Sequence, residues 1–237
     1  MIVDFHAHIL PRADHGSDGM ETTLRQLSLI KRGGTDAVVA TPHFYPERHL
    51  VESFLRRRAD ALAELAKGKG EADLPLLFCG AEVLVCPGIE EMASLEKLCI
   101  EGTGIILLEL PFSGIGTDVI DSVLAVRDLG LSPVLAHIDR YPDDRIGILL
   151  REGIHAQLNA EGFRGLLSGR RYRKYIENGS VVALGSDLHG VPRNGYADFL
   201  RMRKRLGTLA DTVFERTQAL LSQATPADLT HATATVS

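Results

Sequence analysis

The sequence predicts an α/β fold in which seven parallel strands form a closed, somewhat irregular (β/α) barrel, with a doubly wound open sheet as the alternative. Short apolar runs rich in β-branched residues alternate with longer amphipathic stretches. Parallel strands need such long crossover connections, which are usually helical. No internal repeat and no linker rich in Gly, Ser or Pro divides the 237 residues. We therefore expect one domain over residues 1–223 and a loose tail over residues 224–237.

Seven apolar runs are predicted strands, because short runs of this kind are typical of strands buried on both faces. In chain order they cover residues 2–5, 37–40, 76–79, 105–110, 134–136, 155–158 and 181–184. Helical spacing of apolar residues predicts the connections, as where Leu24, Leu27 and Ile30 form one stripe that ends before Gly33. The predicted helices cover residues 20–31, 53–67, 89–98, 119–129, 144–152, 169–178, 196–206 and 209–223.

Composition excludes several classes of protein. The formal net charge is −5, which does not favour nucleic acid or an anionic membrane as the main partner. No apolar run approaches the roughly 20 residues of a membrane span. Asp4, His6 and His8 interrupt the apolar stretch that a signal peptide needs. The three cysteines are odd in number and do not predict a disulfide framework, so we expect a reduced, cytoplasmic protein.

Histidines and carboxylates lie at or just after the ends of the predicted strands. Six of the nine histidines are placed in this way, together with three acidic residues. The carboxyl ends of parallel strands converge on one rim, where ligand sites form. The resulting candidate ligands are His6, His8, His15, His43, Glu82, Glu109, His137, Asp187 and His189.

This combination favours a metal centre over hydrogen-bonded core residues, although a lone histidine at a strand end is more often part of the core. The side chains of residues two apart in a strand point to the same face, so His6 and His8 can coordinate one ion. Asp187 and His189 can do likewise, or a bend can divide them between two ions. Nitrogen and carboxylate ligands without cysteine suit Mn²⁺, Fe²⁺ or Zn²⁺. Nine ligands predict two or three ions, with Glu82 or another carboxylate bridging.

The opening residues 2–11 resemble the first motif of the polymerase and histidinol phosphatase (PHP) superfamily. The other matching motifs follow in family order. They are Ala40-Thr41-Pro42-His43, Gly80-Ala81-Glu82-Val83, Leu108-Glu109-Leu110, Ala136-His137-Ile138-Asp139-Arg140 and Ser186-Asp187-Leu188-His189. Within the superfamily, the chain resembles the bacterial capsule-biosynthesis protein-tyrosine phosphatases.

The resemblance implies a distorted seven-stranded barrel of PHP type with three metal ions, often manganese. It also implies hydrolysis of phosphotyrosine on a protein such as a cognate bacterial tyrosine kinase. By position, it assigns His6, His8, Glu82 and Asp187 to one ion, Glu82, Glu109 and His137 to a second, and His15, His43 and His189 to a third. Arg140 matches a phosphate-binding arginine, and Arg193 is a looser match to a second one.

Two departures from the family pattern affect these expectations. The family usually has Asp-Asp-Gly where this chain has Asp14-His15-Gly16, so the third ion gains an imidazole and loses a carboxylate. His15-Gly16 also resembles the histidinol-phosphate phosphatases, which keeps a small-molecule phosphoester as an alternative substrate. The segment between Asn159 and Ser186 is short for the capsule group. Substrate contacts in that segment are therefore expected to differ.

The predicted function is hydrolysis of a phosphate monoester by a metal-activated hydroxide. His43 and Asp14 are candidate general acids, although a tyrosyl leaving group with a phenol pKa of about 10 needs little protonation. None of the three cysteines lies in a C-x₅-R loop, which argues against cysteine catalysis. The alternatives are a metal-dependent nuclease or amidohydrolase and a non-catalytic regulator that binds a kinase.

Overall fold

The computed structural model describes residues 1–112, 114–163, 169–192 and 196–229. This part of the chain contains ten strands, and all their pairings are parallel. The strands are β1 (Val3–His8), β2 (Ala37–Ala40), β3 (His43–Phe44), β4 (Leu76–Cys79), β5 (Glu82–Leu84), β6 (Ile105–Glu109), β7 (Ser132–Leu135), β8 (His155–Asn159), β9 (Val181–Gly185) and β10 (Leu188–His189).

Seven α-helices lie within the described residues; the first five connect strands, and the last two follow β10. They are α1 (Met20–Arg32), α2 (Val51–Gly68), α3 (Thr117–Asp128), α4 (Asp143–Arg151), α5 (Gly169–Glu177), α6 (Ala197–Leu206) and α7 (Thr208–Leu220). Every residue of β1, β2, β6 and β9 is buried, as expected for strands covered on both faces. No described helix is both long and apolar enough to span a lipid bilayer. The prediction of a parallel α/β fold is confirmed.

The hydrogen-bonded ladders divide into two sheets and do not form the single closed barrel that the sequence predicts. One sheet has the order β10-β1-β2-β4, and the other has the order β3-β5-β6-β7-β8-β9. The division arises because β2, β4 and β9 are each followed by a two-residue interruption and then a short strand, at Thr41-Pro42, Gly80-Ala81 and Ser186-Asp187. Pro42 lacks a backbone N–H for the ladder. Asp187 adopts a left-handed backbone with φ 52°.

One predicted helix is wrong in detail. Residues 89–98 do not form one helix but two short 3₁₀ helices, Ile89–Glu91 and Leu95–Leu98. Ser94, between them, has φ 64°, which an α-helix cannot accommodate.

The predicted loose tail is anchored as far as residue 229. The backbone N–H of Thr225 donates to the Glu101 carbonyl at 2.8 Å, and that of Ala227 donates to the Leu77 carbonyl at 2.7 Å. Ala227 and Leu229 also pack against the core. The rest of the predicted tail, residues 230–237, lies outside the described residues.

Candidate metal centre

The candidate ligands come together at one end of the parallel strands. His6 and His8 belong to β1 itself, His43 begins β3 and Glu82 begins β5. Glu109 is the last residue of β6, and His137 lies two residues beyond β7. Asp187 lies between β9 and β10, and His189 ends β10.

Glu82 is the centre of this cluster and is 1% exposed. Its Oε2 atom lies 3.2 Å from Nε2 of His6 and 3.2 Å from Nε2 of His8. The same oxygen is 3.0 Å from Nδ1 of His43, and Oε1 is 2.8 Å from Nε2 of His137. One carboxylate therefore faces four imidazoles, which is the arrangement expected of a bridging ligand.

Asp187 and Glu109 flank Glu82 on two sides. Oδ1 of Asp187 is 3.6 Å from Nε2 of His6 and 3.4 Å from Nδ1 of His189. Glu109 is 3.9 Å from Nδ1 of His43 and 3.7 Å from Nε2 of His137. The described residues include three sets whose ligand atoms all lie within 4.8 Å of one another. These sets are His6/His8/Asp187, His43/Glu82/Glu109 and His8/His43/His189.

His15 lies beside His43 and His189, the two residues with which the resemblance groups it. Its exposed ring stacks on theirs, with centroids 4.9 Å from His43 and 4.8 Å from His189. The ligand atoms of His8, His43 and His189 lie within 4.8 Å of one another. The chain runs tightly at this point, because a Cβ on Gly16 would lie 2.0 Å from Cβ of His8. His15 is thereby kept at the mouth of the cluster.

Gln157 fixes the tautomer of His6. The backbone N–H of His137 donates to Oε1 of Gln157 at 2.8 Å, which identifies that atom as the acceptor. Nδ1 of His6 lies 3.2 Å from the same oxygen and must carry the proton. The lone pair of neutral His6 is then on Nε2, which faces Glu82. Such outer hydrogen bonds are typical of metal-ligating histidines.

Asp14 fixes the tautomer of His8 in the same way. Its Oδ2 accepts from Nδ1 of His8 at 2.6 Å and from the backbone N–H of His43 at 2.9 Å. Burial raises the pKa of Asp14, but the hydrogen bond and charge of His8 outweigh it and hold the pKa well below its usual range. Asp14 is thus a positioning group that stays ionised, which argues against its predicted role as a general acid.

The pKa shifts differ between members of the cluster. Burial lowers the pKa of His6, but the charges of Glu82 and Asp187 raise it more, and the net shift is upward. Burial and the charge of Glu82 raise the pKa of Glu109 to about 7. Burial and the charge of His8 lower the pKa of His189 to about 4. Divalent cations would relieve both the carboxylate repulsion and the need for protonated rings.

Several buried polar atoms fit a cation and have no hydrogen-bond partner of acceptable geometry. These atoms are Oε2 of Glu82, Nδ1 of His43 and Nε2 of His189. The Nε2 atoms of His6 and His8 also face each other at 3.1 Å, although their Nδ1 atoms already hold a proton. Buried groups of this kind require a partner. The donor set of imidazoles and carboxylates fits divalent metal ions.

Backbone strain is found at two of these residues. His137 has φ 31° and Asp187 has φ 52°, in a region that residues other than glycine rarely adopt. The contacts that hold them include the His137 N–H bond to Gln157 and the Asp187 N–H bond to the His6 carbonyl, at 2.8 Å each. The strained conformations turn both side chains toward the centre.

Arg140 lies at the edge of the cluster. Its Nη2 donates to Oδ2 of Asp187 at 2.5 Å and to Oε2 of Glu161 at 3.3 Å. The side chain is 31% exposed, so its remaining donors can reach a ligand from solvent. The second predicted arginine, Arg193, lies outside the described residues.

A scan of family models matches residues 2–196 to the capsular polysaccharide synthesis CpsB/CapC family. The chain belongs to this family. The tyrosine-protein phosphatase CpsB of Streptococcus pneumoniae is 25% identical over 210 residues, which cover 80% of this chain and 84% of that protein. The tyrosine-protein phosphatase YwqE of Bacillus subtilis is 25% identical over 207 residues, with 82% and 80% coverage.

Solved structures support the same fold. A structure from the study of the metal-dependent tyrosine phosphatases YwqE and CpsB superposes with a TM-score of 0.78 at 23% identity, covering 94% of this chain and 96% of that one. A TatD family hydrolase from Entamoeba histolytica gives 0.58 at 10% identity, with 92% and 97% coverage. A histidinol phosphate phosphatase from Lactococcus lactis gives 0.56 at 12% identity, with 90% and 93% coverage.

Sequence reasoning missed several polar and aromatic residues of this CpsB/CapC family member. Gln157 and Asn159 are fully buried polar residues two apart in β8, a pattern that indicates one inward face. Nε2 of Gln157 donates to Oδ1 of Asn159 at 2.7 Å, and Nδ2 of Asn159 donates to Oδ2 of Asp187 at 3.0 Å. No sequence signal distinguished Phe112, which stacks near His137 with centroids 6.2 Å apart.

Proposed function

We propose that this chain is a metal-dependent phosphomonoester hydrolase that removes phosphate from phosphotyrosine in proteins. The observation that carries the proposal is the buried Glu82-centred cluster of imidazoles and carboxylates with Arg140 at its edge. Membership of the CpsB/CapC family supports it, since relatives of this chain are named tyrosine-protein phosphatases.

We infer that two or three divalent cations occupy the cluster, with Mn²⁺ favoured and Fe²⁺ or Zn²⁺ as alternatives. His6, His8, Glu82 and Asp187 would hold the first, and Glu82, Glu109 and His137 would hold the second. His43 and His189 would hold the third, with His8 or His15 beside them. Overlap among the three close-packed ligand sets supports neighbouring ions.

When bound, the cations would lower the pKa of a water molecule and neutralise charge on the phosphoryl oxygens. Hydrolysis adds water to phosphorus and breaks the bond to the phenolic oxygen, which gives phosphate and tyrosine. Arg140 would donate to the phosphoryl oxygens from the guanidinium atoms that Asp187 and Glu161 do not use. Gln157 and Asp14 would orient His6 and His8.

His43 is a poor candidate for a general acid because Nδ1 faces Glu82 and Glu109. The phenolate needs little protonation in any case.

We also propose that the two sheets together form the distorted seven-stranded barrel. Joining β2 to β3, β4 to β5 and β9 to β10 across their two-residue interruptions gives a cyclic order of seven strands. The bond from Asp187 N–H to the His6 carbonyl supports the closure beside β1. The proposed domain covers residues 1–223.

A phosphotyrosine protein, such as a cognate bacterial tyrosine kinase, is the proposed partner. A cytoplasmic location fits the three unpaired cysteines, Cys79, Cys86 and Cys99.

The test is a substrate comparison with the full chain loaded with Mn²⁺. We expect turnover of a phosphotyrosine peptide and of p-nitrophenyl phosphate, loss of turnover on chelation, and recovery when Mn²⁺ is restored. Glu82→Gln should lose metal and activity, whereas Glu64→Gln, at a partly exposed position where the side chain pairs with Arg12, should keep both. Faster turnover of histidinol phosphate or single-stranded DNA than of the phosphotyrosine peptide would overturn the proposal. Full activity after complete metal removal would also overturn it.

A further inference from the structure

A cavity of about 530 Å³ is lined in part by Arg140, which is hydrogen-bonded to Asp187 of the Glu82 cluster. Its lining includes Pro111, Phe112, Ile115, Arg140, Tyr141 and Pro142. The cavity therefore combines an arginine that is bonded to Asp187 with apolar and aromatic side chains, and Asp144 and Arg145 also line it. A ligand that fits it has an anionic end next to a flat apolar body.

Phe112 is the feature of this cavity that folding does not explain. Its side chain is 64% exposed, whereas the neighbouring Tyr141 is 4% exposed. Phe112 follows the ligand Glu109 by three residues, just beyond the end of β6. An exposed phenylalanine contributes little to the core, and a large apolar group at the rim of a polar site is typical of ligand contacts.

The ring of Phe112 is oriented by aromatic neighbours. Its plane is 16° from that of His137, and its centroid is 5.7 Å from that of Tyr141. The Tyr141 hydroxyl accepts from the backbone N–H of Leu110 at 3.0 Å, which fixes Tyr141 at the base of the ring. Phe112 thus presents an aromatic face next to His137, one of the proposed metal ligands.

We propose that Phe112 is a specificity-determining residue that stacks on the phenyl ring of the substrate. This inference rests on the proposed function and names the subsite that selects aryl over alkyl phosphates. The phosphoryl group lies at Arg140 and the Glu82 cluster, and the ester-linked ring enters the cavity against Phe112. Offset or edge-to-face stacking stabilises such aromatic pairs beyond the burial of their surface.

The test compares binding of phenylphosphonate and methylphosphonate to the Mn²⁺-loaded protein by calorimetry, because these phosphonates are not hydrolysed and leaving-group effects are absent. Phe112→Ala should weaken phenylphosphonate binding about tenfold, or about 1.4 kcal/mol, and change methylphosphonate binding less than about twofold. Phe112→Tyr should restore the wild-type ratio, and Phe112→Leu should not. Leu129→Ala, which removes another exposed apolar side chain (59% exposed), is the matched control.

Equal effects of Phe112→Ala on both phosphonates, or no effect on either, would overturn the role of Phe112. A wild-type protein that binds both phosphonates equally well would overturn it too. Turnover of phosphotyrosine is measured separately on the wild-type protein. If the wild-type protein does not turn over phosphotyrosine, the proposed function is overturned. If it does, and Phe112→Ala leaves the ratio of phenylphosphonate to methylphosphonate affinity unchanged, only the aryl subsite is overturned.

Discussion

Replacing Gln157 by leucine should weaken divalent-metal binding without changing any metal ligand. Gln157 is fully buried and makes three hydrogen bonds, with Nδ1 of His6, the backbone N–H of His137 and Oδ1 of Asn159. Leucine has a similar volume but bonds to none of them. His6 then loses the acceptor that keeps its proton on Nδ1, and its Nε2 lone pair is no longer fixed toward Glu82.

The structure gives two magnitudes for this change. Two buried donors and one acceptor lose their partner, and each such loss costs about 1–3 kcal/mol, so the free energy of unfolding should fall by about 3 kcal/mol or more. Loss of a hydrogen bond that orients a metal-ligating histidine typically reduces metal affinity about 10–100-fold. The loss of metal affinity distinguishes a positioning role of Gln157 from a role in core packing alone.

Metal affinity is measured by competition with a chelating indicator, and stability by urea unfolding of the same protein after metal removal. Thr217→Val is the control. Thr217 lies on α7, away from the candidate ligands, and its buried hydroxyl donates to the Val182 carbonyl at 2.7 Å. This substitution should lower stability and leave metal affinity unchanged. Gln157→Glu retains an acceptor for His6 and should lose less affinity than Gln157→Leu. Metal affinity in Gln157→Leu equal to that of the wild type would refute the reasoning.

Two further predictions concern Arg140 and the pH dependence of metal binding. Arg140→Ala should reduce kcat by about 100-fold, because the phosphoryl oxygens lose a stabilising donor. Metal content, measured by elemental analysis, should stay unchanged, and Arg151→Ala is the exposed control. Loss of metal in Arg140→Ala would show that Arg140 is structural. Because the pKa of Glu109 is about 7 and its ordinary value is 4.5, it holds a proton that a cation must displace. Metal affinity should therefore rise as pH increases toward 7, by about tenfold per pH unit for each proton released, and level off above it. The folded protein stripped of metal should lose stability as pH rises from 4.5 to 7, because the folded state binds the Glu109 proton more tightly than the unfolded state does. Calorimetry of metal binding that finds no proton release near pH 6 would contradict the raised pKa of Glu109.

Local patterns predicted the strands well because burial on both faces leaves a continuous apolar run. The same patterns placed His6 and His8 just beyond the first strand, whereas β1 includes both of them. They did not reveal the two-residue strands β3 and β10 beyond Thr41-Pro42 and Ser186-Asp187, because those strands are defined by their pairing with β5 and β1. The helix predicted over residues 89–98 failed for a similar reason, since its apolar spacing suits two 3₁₀ turns equally well.

The sequence by itself determined which residue types stand at the ends of the strands. Imidazoles and carboxylates at those positions already indicated a divalent-metal centre on a parallel α/β fold. Tertiary structure alone decided which ring nitrogen faces Glu82 and that the ligand atoms of His8 lie close to those of His43 and His189. It also decided that Phe112 borders the cavity beside Arg140. Hydrophobic periodicity reports the face of one element, whereas a tautomer or a cavity depends on contacts between distant residues, such as His6 and Gln157, which are 151 positions apart.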